Sequence, residues 1–536
     1  MNVFQKKSSA VAVAMALSIN LVPMAANAET KEAANAETVN VGFIKEGERS
    51  TLFNQDWRFF KGNQDGAEAV DFNDSAWRNL NLPHDWSIEG EFTVQGEAES
   101  GFLLGGTGWY RKHFVVPEKY EGKDFTLNFD GVYMNAEVYV NGQKVGEHNY
   151  GYTAFAFDIT DALVCDGQTE NIIAVKVSNP IPTSRWYSGS GIYRDVTLSV
   201  TDSIHVAHLG TTVTTPNLEI QKGGAVDVNV ETVIENESLD NSNVTVKTTI
   251  IDANGQAVSE PVTTTENVAK DRTKTVAQTA VVNNPNLWST DNPNMYQVKT
   301  EVIVGDEVVD TYFTDFGFRY YSFDRDTGFS LNGEMMKLKG VCMHHDQGSL
   351  GAASYYRAVE RQMEIMKEMG VNAIRVSHNP ASEALLEICN RLGLMVIDEA
   401  FDTWTNPKNG NSNDFSKYFN ATIGEDNQII NGEADMTWGE FEAKSMVKNA
   451  KNNPSVIMWS VGNEVLEGIG GDSSNYTTVV QNIIDWIQEE DTTRPVTIGD
   501  NQSKNGSSRA QAISDVVAEN GGIVGFNYTN QNQFNS

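Results

Sequence analysis

Apolar positions along this chain divide it into three parts, two with the alternation of β-strands and a third in which strands alternate with helices. From about residue 45 to 202 apolar and polar residues alternate. Phe125-Thr126-Leu127-Asn128-Phe129 is one such run, and Ala136-Glu137-Val138-Tyr139-Val140 is a second, leading into Asn141-Gly142, a strong hairpin signal. Ile172 to Val177 reads as a further strand. A β-sandwich with aromatic residues filling its core fits this segment. A second β unit runs from about 203 to 320. Val226, Val228 and Val230 alternate with polar residues, as do Val244 and Val246, and turn signals such as Asn254-Gly255 separate the strands. That rhythm predicts an immunoglobulin-like sandwich.

Beyond about Gly328 the pattern becomes strand–helix alternation, so the third part spans residues 321–536. Strands are predicted at Met336–His345, Ala373–His378, Leu394–Phe401, Ser455–Glu464, Pro495–Asp500 and Gly522–Tyr528. Helical spacing covers Tyr355–Met369 and Glu383–Leu392. Chemistry-bearing residues gather at the C-terminal ends of these strands, as in a (β/α)8 TIM barrel. Six strands are counted, two short of closure. An open barrel would leave parallel edges uncovered, so the expectation is an incomplete barrel, part of a longer protein.

Composition narrows the partners. A chain of 536 residues is too long for one core. Its net charge of −33 repels nucleic acid and anionic membrane surfaces, and suits an exported protein acting on neutral substrates. Lys6 and Lys7 precede an apolar run from Ala10 to Met24, and Ala26-Asn27-Ala28 supplies small residues for cleavage. Residues 1–28 therefore read as a signal peptide and 29–44 as a linker, and the protein is expected to be secreted or held at the cell surface. The run is too short to cross a bilayer, which takes about 20 apolar residues. Cys165, Cys342 and Cys389 make no disulfide framework, and Cys342 in a strand and Cys389 in an amphipathic helix read as small buried hydrophobes.

The strand ends supply Met343-His344-His345-Asp346, Arg375-Val376-Ser377-His378-Asn379-Pro380, Asp398-Glu399-Ala400-Phe401-Asp402 and Asn463-Glu464. Barrel geometry brings four such clusters to one place. A carboxylate beside a carboxamide at a buried strand's mouth is where a barrel enzyme keeps a general acid. A metal site is a competing reading of the histidines and carboxylates, but no His-x-x-x-His pair provides preformed ligand spacing. Histidines that hydrogen-bond a polyhydroxylated substrate fit as well, with Trp404, Trp459 and Tyr528 to cover a pyranose face.

These clusters, with Leu82-Pro83-His84-Asp85-Trp86, Gly108-Trp109-Tyr110-Arg111, Phe129-Asp130-Gly131-Val132 and the run from Arg185 to Arg194, resemble glycoside hydrolase family 2, in its β-galactosidase branch. The resemblance implies a sugar-binding jelly roll at 45–202, an immunoglobulin-like domain at 203–320 and a catalytic barrel. It implies that Glu464 is the general acid/base, that Asn463 contacts the sugar 2-hydroxyl, that His344 and His378 contact substrate, and that Tyr528 touches the nucleophile. In a retaining enzyme of this kind the acid protonates the leaving oxygen while a second carboxylate about 5–5.5 Å away attacks the anomeric carbon. The family's nucleophile sits on the seventh strand, and residues 529–536 contain no acid, so this chain alone is expected to be nearly inactive. No cofactor is expected. Some relatives hold magnesium near the acid/base, but here Asp402-Thr403-Trp404 lacks the histidine that would bind it. Terminal β-galactosides are the expected substrate. A β-glucuronidase of the same family and a non-catalytic carbohydrate-binding protein are the alternatives, and an oligomer is compatible with the sequence.

Overall fold

The computed structural model describes residue 44 and residues 48–470, 473–502 and 506–529. The predicted signal peptide and all but the last residue of the predicted linker lie outside them. Among the described residues no helix is long and apolar enough to cross a membrane.

The first sandwich packs a six-stranded antiparallel sheet against a four-stranded one. Period-two patterning explains it directly: in Asp124–Phe129 alternate residues are buried, and Phe125, Leu127 and Phe129 enter the core. The hairpin predicted at Asn141-Gly142 forms a two-residue turn between strands Ala136–Val140 and Gln143–His148. Both turn residues have positive φ, 50° and 83°, which asparagine and glycine tolerate best. The second sandwich has seven strands, three in one sheet and four in the other. Val226, Val228 and Val230 all point into its core.

A short three-stranded meander, Tyr321–Asp324, Gly328–Leu331 and Glu334–Met335, leads into the barrel. Nothing in the hydrophobic spacing singled it out. Phe329 and Leu331 pack with Trp288 against Ala373, Met395 and Ile457, which lie in the first two residues of three barrel strands, so the meander stoppers the N-terminal end. The six barrel strands are Gly340–Met343, Ala373–Val376, Met395–Glu399, Val456–Asn463, Val496–Asp500 and Ile523–Phe526. They pair in parallel in chain order. The fourth is buried along its whole length, as its unbroken apolar run requires. Helices Tyr356–Glu368 and Glu383–Leu392 fall where the spacing placed them.

The first sandwich and the barrel share one continuous core. His148, stacked 4.1 Å from Phe155, meets Glu442 of the barrel helix Trp438–Ala450 at 3.0 Å, and both side chains are fully buried. One expectation fails here. Cys342 is exposed, not buried, because its register opposite Arg375 turns it to the barrel's open inner face. Cys389 is buried as read.

Trp288 links the second sandwich to the barrel, fully buried with its ring N–H donating to the Asn390 carbonyl at 2.8 Å. Trp288→Ala is expected to lower stability by about 3–5 kcal/mol. Urea denaturation of the variant measures it, and a change below about 1 kcal/mol would mean the contact carries little.

Candidate active site

Glu464 stands at the end of the fourth barrel strand, 4% exposed, with its backbone in the left-handed region at φ 54° and ψ 50°. That conformation is uncommon for a non-glycine residue. Its N–H donates to the Gly499 carbonyl at 2.7 Å, which ties the turn to the fifth strand. One carboxylate oxygen, Oε2, lies 3.4 Å from both terminal nitrogens of Arg185. The other accepts from Asn527 Nδ2 at 3.3 Å, and the Tyr528 hydroxyl also bonds this carboxylate. The Glu464 charge, followed by burial, raises the Tyr528 phenol.

Arg185 belongs to the first sandwich, on the loop after strand Glu170–Asn179, and reaches across to the barrel. Its Nε and one terminal nitrogen clasp Asp402, each bond 2.8 Å long, in the bidentate geometry that suits guanidinium and carboxylate. Lys408, fully buried, approaches Asp402 to 3.0 Å and donates to the Asn463 carbonyl at 2.5 Å. Burial alone would raise the Asp402 carboxyl. The Lys408 and Arg185 charges outweigh it and hold that carboxyl far below the usual range. This bears on the magnesium that some relatives carry. With an ammonium and a guanidinium already on Asp402, a divalent cation does not fit there.

Asn463, 2% exposed, is fixed at both ends of its amide. Its oxygen accepts from Arg375 at 3.2 Å and Asn527 at 2.8 Å, and its Nδ2 donates to Asp402 at 3.3 Å. Glu399 is fully buried, and its carboxylate takes Arg375 at 2.7 and 2.9 Å, His378 at 2.6 Å and Ser460 at 2.6 Å. Burial would raise this carboxyl, but the Arg375 charge and the His378 and Ser460 bonds keep it below its ordinary value. Its oxygens are fully engaged, so it orients Arg375 and His378. Because His378 gives its Nδ1–H to Glu399, its Nε2 is left for a ligand.

His344 lies 5.3 Å from His378, ring to ring, and Trp186 of the Arg185 loop sits 4.2 Å from His344 and 5.5 Å from His378. Burial, aided by His378, pushes the His344 imidazole down to about 4, so it is neutral near pH 7. The structure thus gathers Glu464, Asn463 and Tyr528 at one corner and His344 and His378 at another. Two aromatic expectations are corrected. Trp404 and Trp459 are fully buried, Trp404 packed beneath the Lys408 ammonium and Trp459 bonding Asp491 at 2.9 Å, because packing encloses both rings. Trp186, from the sandwich loop, is the indole that lies beside the two histidines. Sequence reasoning missed Arg185, Lys408 and Asn527 as members of the site, and it placed Arg375 and Asp402 in the strand-end clusters without giving either a role in catalysis. Arg185-Trp186 stood inside a recognised motif, yet no local spacing says which sandwich loop reaches the barrel.

Three layers, two sandwiches and a parallel barrel with its polar residues at the C-terminal strand ends, define the class. The family model for the glycosyl hydrolases family 2 TIM barrel domain matches residues 325–525, that of glycosyl hydrolases family 2 matches 205–319, and that of the family's sugar binding domain matches 93–202. The chain belongs to glycosyl hydrolase family 2. It is 40% identical over 513 residues to Beta-galactosidase BoGH2A of Bacteroides ovatus, covering 89% of this chain and 56% of that protein. A putative beta-glucuronidase of Formosa agariphila is 34% identical over 77% of this chain and 37% of its own length. A crystal structure of a family 2 member from Bacteroides cellulosilyticus superimposes with a TM-score of 0.80 at 38% identity, covering 90% of this chain and 59% of that one. The chain therefore spans little more than half the length of these relatives, or less.

A histidine held neutral makes stability depend on pH with a definite sign. Unfolded His344 takes a proton near its ordinary value of about 6.5, whereas the folded residue resists it down to about 4. The unfolded state binds more protons between these values, so this residue's contribution falls as the pH drops through that window. His344→Gln is expected to flatten the stability-against-pH curve there by about 1–3 kcal/mol. Urea unfolding at several pH values measures the slope, and an unchanged slope would contradict the assignment.

Proposed function

We propose that the protein carrying this chain is an exported retaining β-glycosidase that hydrolyses terminal β-D-galactosides, with Glu464 as general acid and then base. The observation that carries the reading is the setting of Glu464, at the C-terminal end of a buried barrel strand, bracketed by Arg185 and Asn527. In the first step its proton passes to the leaving oxygen. Arg185, 3.4 Å away, then faces the carboxylate that remains. In the second step that carboxylate takes a proton from the water that breaks the glycosyl-enzyme. Asn463, its amide held by Arg375, Asn527 and Asp402 and its carbonyl by Lys408, is suited to a 2-hydroxyl contact that strengthens as positive charge develops on the sugar. Trp186, His344 and His378 form a wall for the ring, and the neutral His344 imidazole suits a hydroxyl partner.

The attacking carboxylate of this mechanism is not Asp402 or Glu399, since both are saturated by cations and hydrogen bonds. A galactoside preference is supported by the name and 40% identity of the Bacteroides ovatus relative. The charge of −33 points the same way, away from an anionic sugar. A β-glucuronidase is the second reading, favoured by the names of other relatives. Export rests on the N-terminal pattern of Lys6, Lys7 and the apolar run.

In the complete enzyme, Glu464→Gln is expected to slow turnover of galactosides with poor leaving groups by roughly 10²–10⁴-fold. Activated aryl galactosides should be spared in the first step. Parallel kcat measurements on the two substrate types decide it, and equal loss on both would argue against the acid role. Cleavage of aryl β-glucuronides in preference to galactosides would transfer the assignment to the second reading.

A further inference from the structure

The two sandwiches and the barrel meet around a cavity of about 510 Å³ that the catalytic reading does not use. Small-molecule sites span about 300–1,000 Å³, whereas packed interiors hold few voids larger than one water. The cavity shares no lining residue with the site around Glu464.

Its floor is the outer face of the four-stranded sheet of the first sandwich. Phe125, Leu127 and Leu198 point into the core, so Thr126, Asn128, Thr197 and Ser199 point the other way and line the cavity. Strand pairing sets Thr126 beside Ser199 and Asn128 beside Thr197. A sheet face covered by other layers is ordinarily apolar. This one offers hydroxyls and an amide, and no full charge.

Two polar groups enter from the other two domains. In the strand Ile204–Thr214 the pairing jumps from Val206–Ile234 to Thr211–Thr232, so residues 207–210 bulge out, with Leu209 held at φ 55°. Such bulges re-aim side chains, and this one brings His208 to the cavity wall. Glu383, the first residue of the barrel helix Glu383–Leu392, is the other. Among the described residues neither the His208 ring nor the Glu383 carboxylate has a hydrogen bond or an ion pair.

The ligand that suits these groups is uncharged and rich in hydroxyls. The remaining charges on the wall are engaged. Asp130 Oδ1 accepts from the Glu383 N–H at 3.2 Å, and Asp398 Oδ1 accepts from the Ala381 and Glu399 N–H groups at 2.9 and 3.1 Å. Arg49 is paired with Asp310 at 3.0 Å. Burial, then the Asp130 charge, pushes the Glu383 carboxyl up to about 7, and burial, then Arg49, pushes the His208 imidazole down to about 4. Near neutral pH the imidazole therefore both donates and accepts, and Glu383 brings little fixed charge. Phe313, 44% exposed, adds an apolar ring for the carbon-bound face of a sugar.

We propose that this cavity is a second, non-catalytic saccharide site, in which His208, Glu383 and the floor of Thr126 and Ser199 bond the hydroxyls of a neutral sugar. A ligand there touches all three domains and stabilises their assembly.

The test is calorimetric titration of the full-length protein with D-galactose, D-glucose and D-xylose in turn, repeated on Glu383→Gln and on His208→Phe, whose ring fills the cavity. At least one sugar is expected to lose one binding equivalent in His208→Phe, and to bind that equivalent at least fivefold more weakly in Glu383→Gln. Counting the equivalents lost, not those present, separates this site from any sugar held at Glu464. Hydrogen exchange reads the native sequence without substitution: the same sugar should slow exchange at residues 207–210 and 381–386. Unchanged equivalents and affinity in both variants would overturn the proposal. So would exchange at the bulge that none of the three sugars slows, or that spermidine alone slows.

Discussion

One guanidinium governs the geometry of the candidate site. Arg185 comes from the first sandwich, is only 11% exposed, and meets Asp402 and Glu464 of the barrel at once. A charge so far from water needs partners: removing one member of a buried pair costs about 3–5 kcal/mol. Burial would weaken the Arg185 proton's hold, but the bonds and charges of Asp402 and then Glu464 more than restore it. The barrel in turn needs the arginine. Asp402, Glu399 and Glu464 are closely packed acids, and Arg185, Lys408 and Arg375 answer them one for one. Neither domain supplies all three cations.

The same dependence runs through the loops behind the site. Arg194, 1% exposed, donates to the Tyr152 carbonyl at 2.7 Å and the Pro380 carbonyl at 2.9 Å. The Tyr150 hydroxyl lies 2.6 Å from Asn379 Oδ1 and 2.8 Å from the Ala400 carbonyl. These contacts press the sandwich onto the two strand ends that carry His378 and Glu399. The sandwich therefore forms a wall of the barrel mouth, with Trp186 set beside His344 and His378.

Much of this was legible in the chain because the decisive signals are local. Alternation in Asp124–Phe129 and the valines at 226, 228 and 230 specify faces of sheets. The uninterrupted run from Val456 to Val461 specifies a strand buried on both sides, and all six barrel strands fall within their expected limits. Glu464 and Asn463 were visible for the same reason, since strand ends converge in a barrel. The missed features depend on contacts remote in sequence. Arg185 and Glu464 are 279 residues apart. Trp404 and Trp459 sit close to the site in sequence, but packing encloses both rings. The meander at 321–335 escaped notice because its strands are two to four residues long, too short to show a period.

The central claim is that a sandwich arginine completes a site that the barrel cannot build alone. The most direct test is kcat/KM for a β-galactoside in Arg185→Met, alongside its melting temperature, in the full-length protein. The account expects a folded variant whose kcat/KM falls by at least a hundredfold, with Arg185→Lys recovering only part of the loss because lysine cannot bridge two carboxylates in a fixed plane. A folded Arg185→Met with kcat/KM within twofold of the native value would contradict it.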